Sequence, residues 1–145
     1  MRTTSLPPES GLMLHQSRLF PVWKTVGVLM VAVVCVASLA PTLPELPGSP
    51  SDKVEHLVAY ASLTLWWGML YPGKRDRWLA CALFIAMGVT LEFAQRATGY
   101  RVFDVLDMAA NGMGAMVGRV LVETPLGGVL AALDRRLGPA RREPV

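Results

Sequence analysis

Residues 52–71, DKVEHLVAYASLTLWWGMLY, decide how this chain is read. Four titratable groups, Asp52, Lys53, Glu55 and His56, crowd the first turns, and nothing from Leu57 to Tyr71 carries a charge. The apolar residues run on without the strict alternation of a half-buried strand or the charged face of a soluble helix, which is the pattern of a segment whose solvent is lipid. The charges at its entrance then mark the level where the helix leaves the bilayer, and ionisable groups at such a level are functional candidates.

Three further runs share this character, and together the four predict an all-α membrane protein with transmembrane helices over about 22–40, 54–71, 78–95 and 105–122. The first opens on Trp23 and Lys24, an interfacial anchor pair. Its stretch VGVLMVAVVCVASLA, 26–40, ends in small residues like a signal-peptide cleavage site. However, some twenty residues precede the apolar run and Pro41 would follow the cut, so an uncleaved helix is expected. The fourth run, VLDMAANGMGAMVGRVLV, holds Asp107, Asn111, Arg119 and three glycines. At about 1.5 Å per residue it reaches only about 27 Å, barely a hydrocarbon core. A central charge facing lipid costs about 2.5–3.5 kcal/mol on insertion scales, so its neighbours are expected to surround this helix.

The chain therefore divides into a tail over 1–21, a four-helix membrane domain over 22–123 and an amphipathic tail over 124–145. Prolines at 41, 44, 47 and 50 suit a stiff polyproline spacer between the first two spans, and PGKRDR, 72–77, breaks the second from the third. In the C-terminal tail Leu126, Val129, Leu130 and Leu133 recur at helical spacing ahead of Arg135 and Arg136, which predicts a short interfacial helix on an anionic leaflet. His15 in the N-terminal tail reads as a solvated residue.

Composition agrees. The 145 residues are 52% hydrophobic, and mean hydropathy is +0.40. A net charge of +3, with no basic patch interleaved with aromatics, argues against a nucleic-acid partner. Cys35 and Cys81 sit inside apolar runs and read as packing. Trp66, Trp67 and Trp78 read as an interfacial belt. Sorted by alternate loops, Arg2, Arg18, Lys24, Lys74, Arg75, Arg77, Arg119, Arg135, Arg136, Arg141 and Arg142 fall on one side, and Lys53, Arg96 and Arg101 on the other. Eleven cations against three place both termini in the cytoplasm. The unusual polar residues then gather at the extracytoplasmic end.

On a helix advancing about 100° per residue, Asp52, His56, Tyr60 and Leu63 share one face, polar above and apolar below. Glu92 and Gln95 pair at i, i+3 on the third span. On the fourth, Asp107, Asn111, Gly114 and Gly118 align under Asp104, and Gly114-xxx-Gly118 is a small-xxx-small pattern that lets another backbone approach. Each residue also has a plainer reading. Asp52 can cap its helix and Glu55 points away from the stripe. His56 can be a hydrogen-bonded structural histidine. Glu92 can pair with Arg96 at i+4. Arg101 can anchor at headgroup level or hold a phosphate. Asp107 and Asn111 can serve as interhelical glue.

DKVEHLVAYASL, EFAQ and RVFDVLDMAANGMGAMVG, in this order over about 50–118, resemble the VanZ-like family of small bacterial membrane proteins. That family carries Asp-Lys-x-x-His-x-x-x-Tyr, Glu-x-x-Gln, and an Arg followed by Asp and by Asn-x-x-Gly. The resemblance implies a polar set of Asp52, Lys53, His56, Tyr60, Glu92, Gln95, Arg101, Asp104, Asp107 and Asn111. It also implies a multi-pass protein of the bacterial cytoplasmic membrane and, from the protein that named the family, a link to resistance to the glycopeptide teicoplanin. Three functions stay open: a binding module of the cell envelope taking an anionic lipid or lipid-linked precursor, a membrane enzyme acting on an envelope lipid with His56, Glu92 or Asp107 as acid or base or with a divalent metal held by the same oxygens and imidazole, and a purely structural module. No cofactor is expected. No metal is expected either, because the possible ligands are dispersed over three helices and match no compact motif such as HExxH.

Overall fold

The computed structural model describes residues 14, 16–40, 50–99 and 103–137. Over these the chain is all-helical, in the order α1 (Phe20–Leu39), α2 (Pro50–Leu70), α3 (Lys74–Thr98), α4 (Val105–Leu121), a 3-10 turn (Pro125–Gly128) and α5 (Val129–Leu137). His15, Arg101 and the proline-rich spacer over 41–49 lie outside the described residues.

Local chemistry sets the ends. Pro21 opens α1, where its missing N–H costs nothing. Gly99, at φ 78°, closes α3 in the left-handed conformation that glycine adopts freely. Asp104 caps α4, its Oδ1 accepting from the Leu106 N–H at 2.8 Å. Thr124 caps the 3-10 turn in the same way, and α4 and the segment after it meet at 73°.

Two helices, α1 and α3, are long and apolar enough to cross a membrane, or three if α4 and the bent segment Pro125–Leu137 form one span. The reason is visible in the residues: α2 begins with Asp52, Lys53, Glu55 and His56, and α4 carries Asp107, Asn111 and Arg119. α3 exceeds the expected 78–95 at both ends, and α2 starts ahead of 54. Charged turns thus continue the helices past their apolar cores.

α2 and α4 form the most intimate pair. A methyl group at Gly114 would strike the Leu57 carbonyl, and one at Gly118 the Ala61 carbonyl, so the small-xxx-small pattern is a backbone-to-backbone seam. α3 closes on α4 through Gly88, which lies against Asn111. α4 corrects one expectation: its neighbours do not surround it. Val105, Leu106, Met113 and Val120 are all at least 60% exposed, while Asp107, Asn111, Gly114 and Gly118 are buried. The helix is turned inside out, its polar stripe on the bundle and its apolar stripe outward, so lipid exposure costs it little.

The core holds Tyr60, Leu63, Cys81, Phe84 and Ala115. Trp66 and Trp67 also pack within the bundle. Trp66 lies against Gly27 and donates to the Trp23 carbonyl at 3.2 Å, and Trp67 stacks on Tyr71 at 5.8 Å. The 3-10 turn and α5 split their apolar stripe: Leu130 packs with Leu14 and Leu70, whereas Leu126, Val129 and Leu133 remain exposed. Asp134 pins α5, accepting from Ser17 Oγ at 2.7 Å and Trp23 Nε1 at 2.8 Å.

Candidate functional site

The first turns of α2, the last turns of α3 and the first turns of α4 converge at one end of the bundle. At the rim, Lys53 Nζ donates to Asp104 Oδ2 at 2.6 Å and to Asp107 Oδ1, and stands 3.7 Å from Asp52 Oδ2. Burial works against the ammonium, but the hydrogen bonds and negative charge of Asp104 and Asp107 outweigh it and raise the Lys53 pKa above the ordinary lysine value. The same bond from Lys53, joined by the Leu106 N–H, holds Asp104 below the usual carboxylate range. Glu55 is exposed and stands apart, as its helical position predicts.

One turn deeper, His56 Nδ1 faces Asn111 Oδ1 at 3.0 Å, and its Nε2 stands 3.6 Å from Asp52 Oδ1. The imidazole bridges α2 and α4. Asn111 is held in turn by Gly88, whose lack of a side chain leaves room for the amide.

The floor is deeply buried. Tyr60 and Glu92 are each 1% exposed. Glu92 Oε1 accepts from the Asp104 backbone N–H at 2.6 Å, so α3 fastens the cap of α4. The alternative pairing of Glu92 with Arg96 does not form among the described residues. Arg96 instead sits over the Phe103 ring at 5.7 Å, because α3 turns Glu92 inward and leaves Arg96 at its edge. Glu92 Oε2 and the Tyr60 hydroxyl are buried here without a hydrogen-bond partner among the described residues, as Thr64 Oγ1, Trp67 Nε1 and Arg119 Nε are lower in the bundle. Gln95 leaves the cluster: its amide donates to the Ser38 carbonyl at 2.8 Å and ties α3 to α1.

Of the ten expected residues, Asp52, Lys53, His56, Glu92, Asp104, Asp107 and Asn111 thus form one network, and Tyr60 lies beneath it. Arg101 is outside the described residues. A model of the VanZ/LLP1 family matches residues 13–126, which take in all four long helices and therefore every element of this network.

The chain belongs to the VanZ/LLP1 family.

No curated protein and no solved structure matches it. Family membership and the exposed apolar faces of α1, α3 and α4 together identify a helical membrane protein.

At the opposite end of this VanZ/LLP1 chain lies a second polar cluster that the sequence reading passed over. Arg119, 7% exposed, donates to Glu123 Oε1 at 2.6 Å and sits over the Trp78 ring at 4.8 Å, while Arg77 approaches Glu123 Oε2 at 3.2 Å. The hydrogen bond from Arg119 lowers the Glu123 pKa. The i, i+4 spacing of Arg119 and Glu123 was the available signal. Nearby, an apolar pocket of about 420 Å³ opens among Val31, Trp67, Tyr71, Leu79, Leu83 and Phe84, well apart from the network around Lys53.

Proposed function

We propose that the network at the top of α2, α3 and α4 binds the headgroup of an amphiphile of the bacterial cell envelope, an anionic lipid or lipid-linked precursor. The single observation that carries this reading is the pair of orphaned buried oxygens, Glu92 Oε2 and the Tyr60 hydroxyl. A buried polar atom without a partner costs about 1–3 kcal/mol, and in lipid no water repays it. A hydroxyl-bearing headgroup, of glycerol or sugar, donates to the carboxylate and satisfies both. Lys53 is already held between Asp104 and Asp107, and the phosphate of such a ligand is assigned in this reading to Arg101, on the strength of the family pattern and of the bidentate grip a guanidinium permits.

In this reading all four long helices cross the cytoplasmic membrane. α2 and α4 are admitted because their polar residues face one another rather than lipid. The bias of eleven cations against three puts both termini inside and the network at the extracytoplasmic face. There the protein meets envelope precursors, which is where a contribution to resistance against teicoplanin-type glycopeptides arises.

Native mass spectrometry of the protein extracted gently from its membrane tests the binding. A lipid mass is expected on the wild type. It should fall sharply in Glu92→Gln and Arg101→Glu and persist in part in Arg101→Lys. A bare wild-type protein, or an adduct indifferent to these changes, removes the reading.

A further inference from the structure

Asp52 and His56 lie one turn apart on α2, and Asp107 lies on α4. One ligand atom from each sits within 4.8 Å of the other two. We infer that Asp52, His56 and Asp107 bind a divalent cation of the zinc class, in competition with the ammonium of Lys53. The scattered spacing in sequence hid this triad, and the glycine seam between α2 and α4 assembles it.

The imidazole is set up as a ligand. Nδ1 donates its N–H to Asn111 Oδ1 at 3.0 Å, which leaves the lone pair of Nε2 facing Asp52. Nε2 and Asp52 Oδ1 stand 3.6 Å apart, too far for a hydrogen bond between them. Zinc takes imidazole nitrogen and carboxylate oxygen at about 2.0–2.2 Å, so two ligands of a tetrahedral ion stand about 3.4 Å apart. Two electron-pair donors facing each other at this distance are a seat for a cation. One imidazole and two carboxylates suit zinc better than calcium, which asks for six to eight oxygens.

A second observation is independent of the triad. Glu92 Oε2 is buried without a hydrogen-bond partner among the described residues, on the carboxyl group whose Oε1 meets the Asp104 N–H three residues before Asp107, and offers an acceptor for a water carried by the ion. Charge points the same way: Asp52, Asp104 and Asp107 meet here, with Lys53 the one lysine among the described residues of the network. Lys53 touches Asp107 and neighbours Asp52, so it fills with a tethered charge the field that the ion would fill.

The experiment is calorimetric titration of zinc chloride into the full-length protein in detergent micelles, beside His56→Ala, Asp52→Asn, Lys53→Met and Glu55→Gln, each checked for folding by thermal unfolding. One saturable site is expected, weakened at least tenfold in His56→Ala and Asp52→Asn and unchanged in Glu55→Gln. Lys53→Met should tighten it at least threefold, an outcome that a merely structural role of the triad does not produce. Magnesium and calcium should not displace zinc. Absence of saturable uptake by folded wild type, uptake that survives Asp52→Asn, or unaltered affinity in Lys53→Met overturns the inference. Should His56→Ala not fold, Asp52→Asn at the rim decides. The titration uses the metal alone, so it stands or falls separately from headgroup binding.

Discussion

Glu92 holds two roles in one carboxylate. Oε1 receives the Asp104 N–H and so anchors the start of α4, while Oε2 is buried without a partner among the described residues and takes the headgroup in the function proposed above. These roles separate by substitution. Glu92→Gln keeps an oxygen for the backbone donor, so its unfolding temperature in micelles should stay close to wild type while the lipid adduct is lost. Glu92→Leu orphans the N–H and should cost about 1–3 kcal/mol, seen as a lower unfolding temperature than that of Glu92→Gln. Equal melting of the two variants would show that the bond to α4 contributes nothing. Lys53 and Asp104 give the pH dependence. The Lys53 pKa is raised in the fold, so its contribution is intact below the ordinary lysine value of about 10.4 and lost as pH rises through the higher folded value. The Asp104 pKa is lowered, so its contribution is intact above the ordinary value of about 3.9 and lost as pH falls through the lower folded value. Unfolding temperature against pH should therefore show a plateau with a fall at each end, and Lys53→Met should abolish the alkaline fall.

Helix pairs depend on spacing more than on polarity. At Gly114 and Gly118 the α4 backbone rests on α2 carbonyls, and a single added methyl has nowhere to go. Gly114→Ala should cost about 1–3 kcal/mol by forcing the helices apart. Nothing lies within 4 Å of a methyl at Gly112, so Gly112→Ala should be neutral or slightly stabilising. Thermal unfolding of the two variants side by side checks this, and equal destabilisation would refute the seam. At the other end, Asp134 binds α5 to Ser17 and Trp23, two partners more than 100 residues away in sequence. Asp134→Ala should free α5, read as faster proteolysis and faster hydrogen exchange over 129–137 with the four long helices unchanged.

For the molecule as a whole, orientation is the property with most consequence, since it determines whether the network meets envelope precursors or cytoplasmic solutes. In a background of Cys35→Ala and Cys81→Ala, Glu55→Cys should react with a membrane-impermeant maleimide added outside intact inner-membrane vesicles of right-side-out orientation, and Arg75→Cys only after permeabilisation. The reverse pattern would put the network in the cytoplasm. Much of the architecture was legible in the chain itself. Uncharged runs announce helices in lipid, and a period of 3.6 residues places Asp52, His56 and Tyr60 on one stripe and Asp107, Asn111, Gly114 and Gly118 on another, because faces of a helix follow from spacing alone. Partners do not follow from spacing. Only the packing of three helices shows that Glu92 serves the cap of α4 instead of Arg96, that Lys53 is spent on Asp104 and Asp107, and that Arg119 is buried against Trp78. Periodicity is a property of one helix and can be read along it. A hydrogen bond, a glycine contact or a ligand triad belongs to two or three helices at once, and is decided by the angle and register at which they meet.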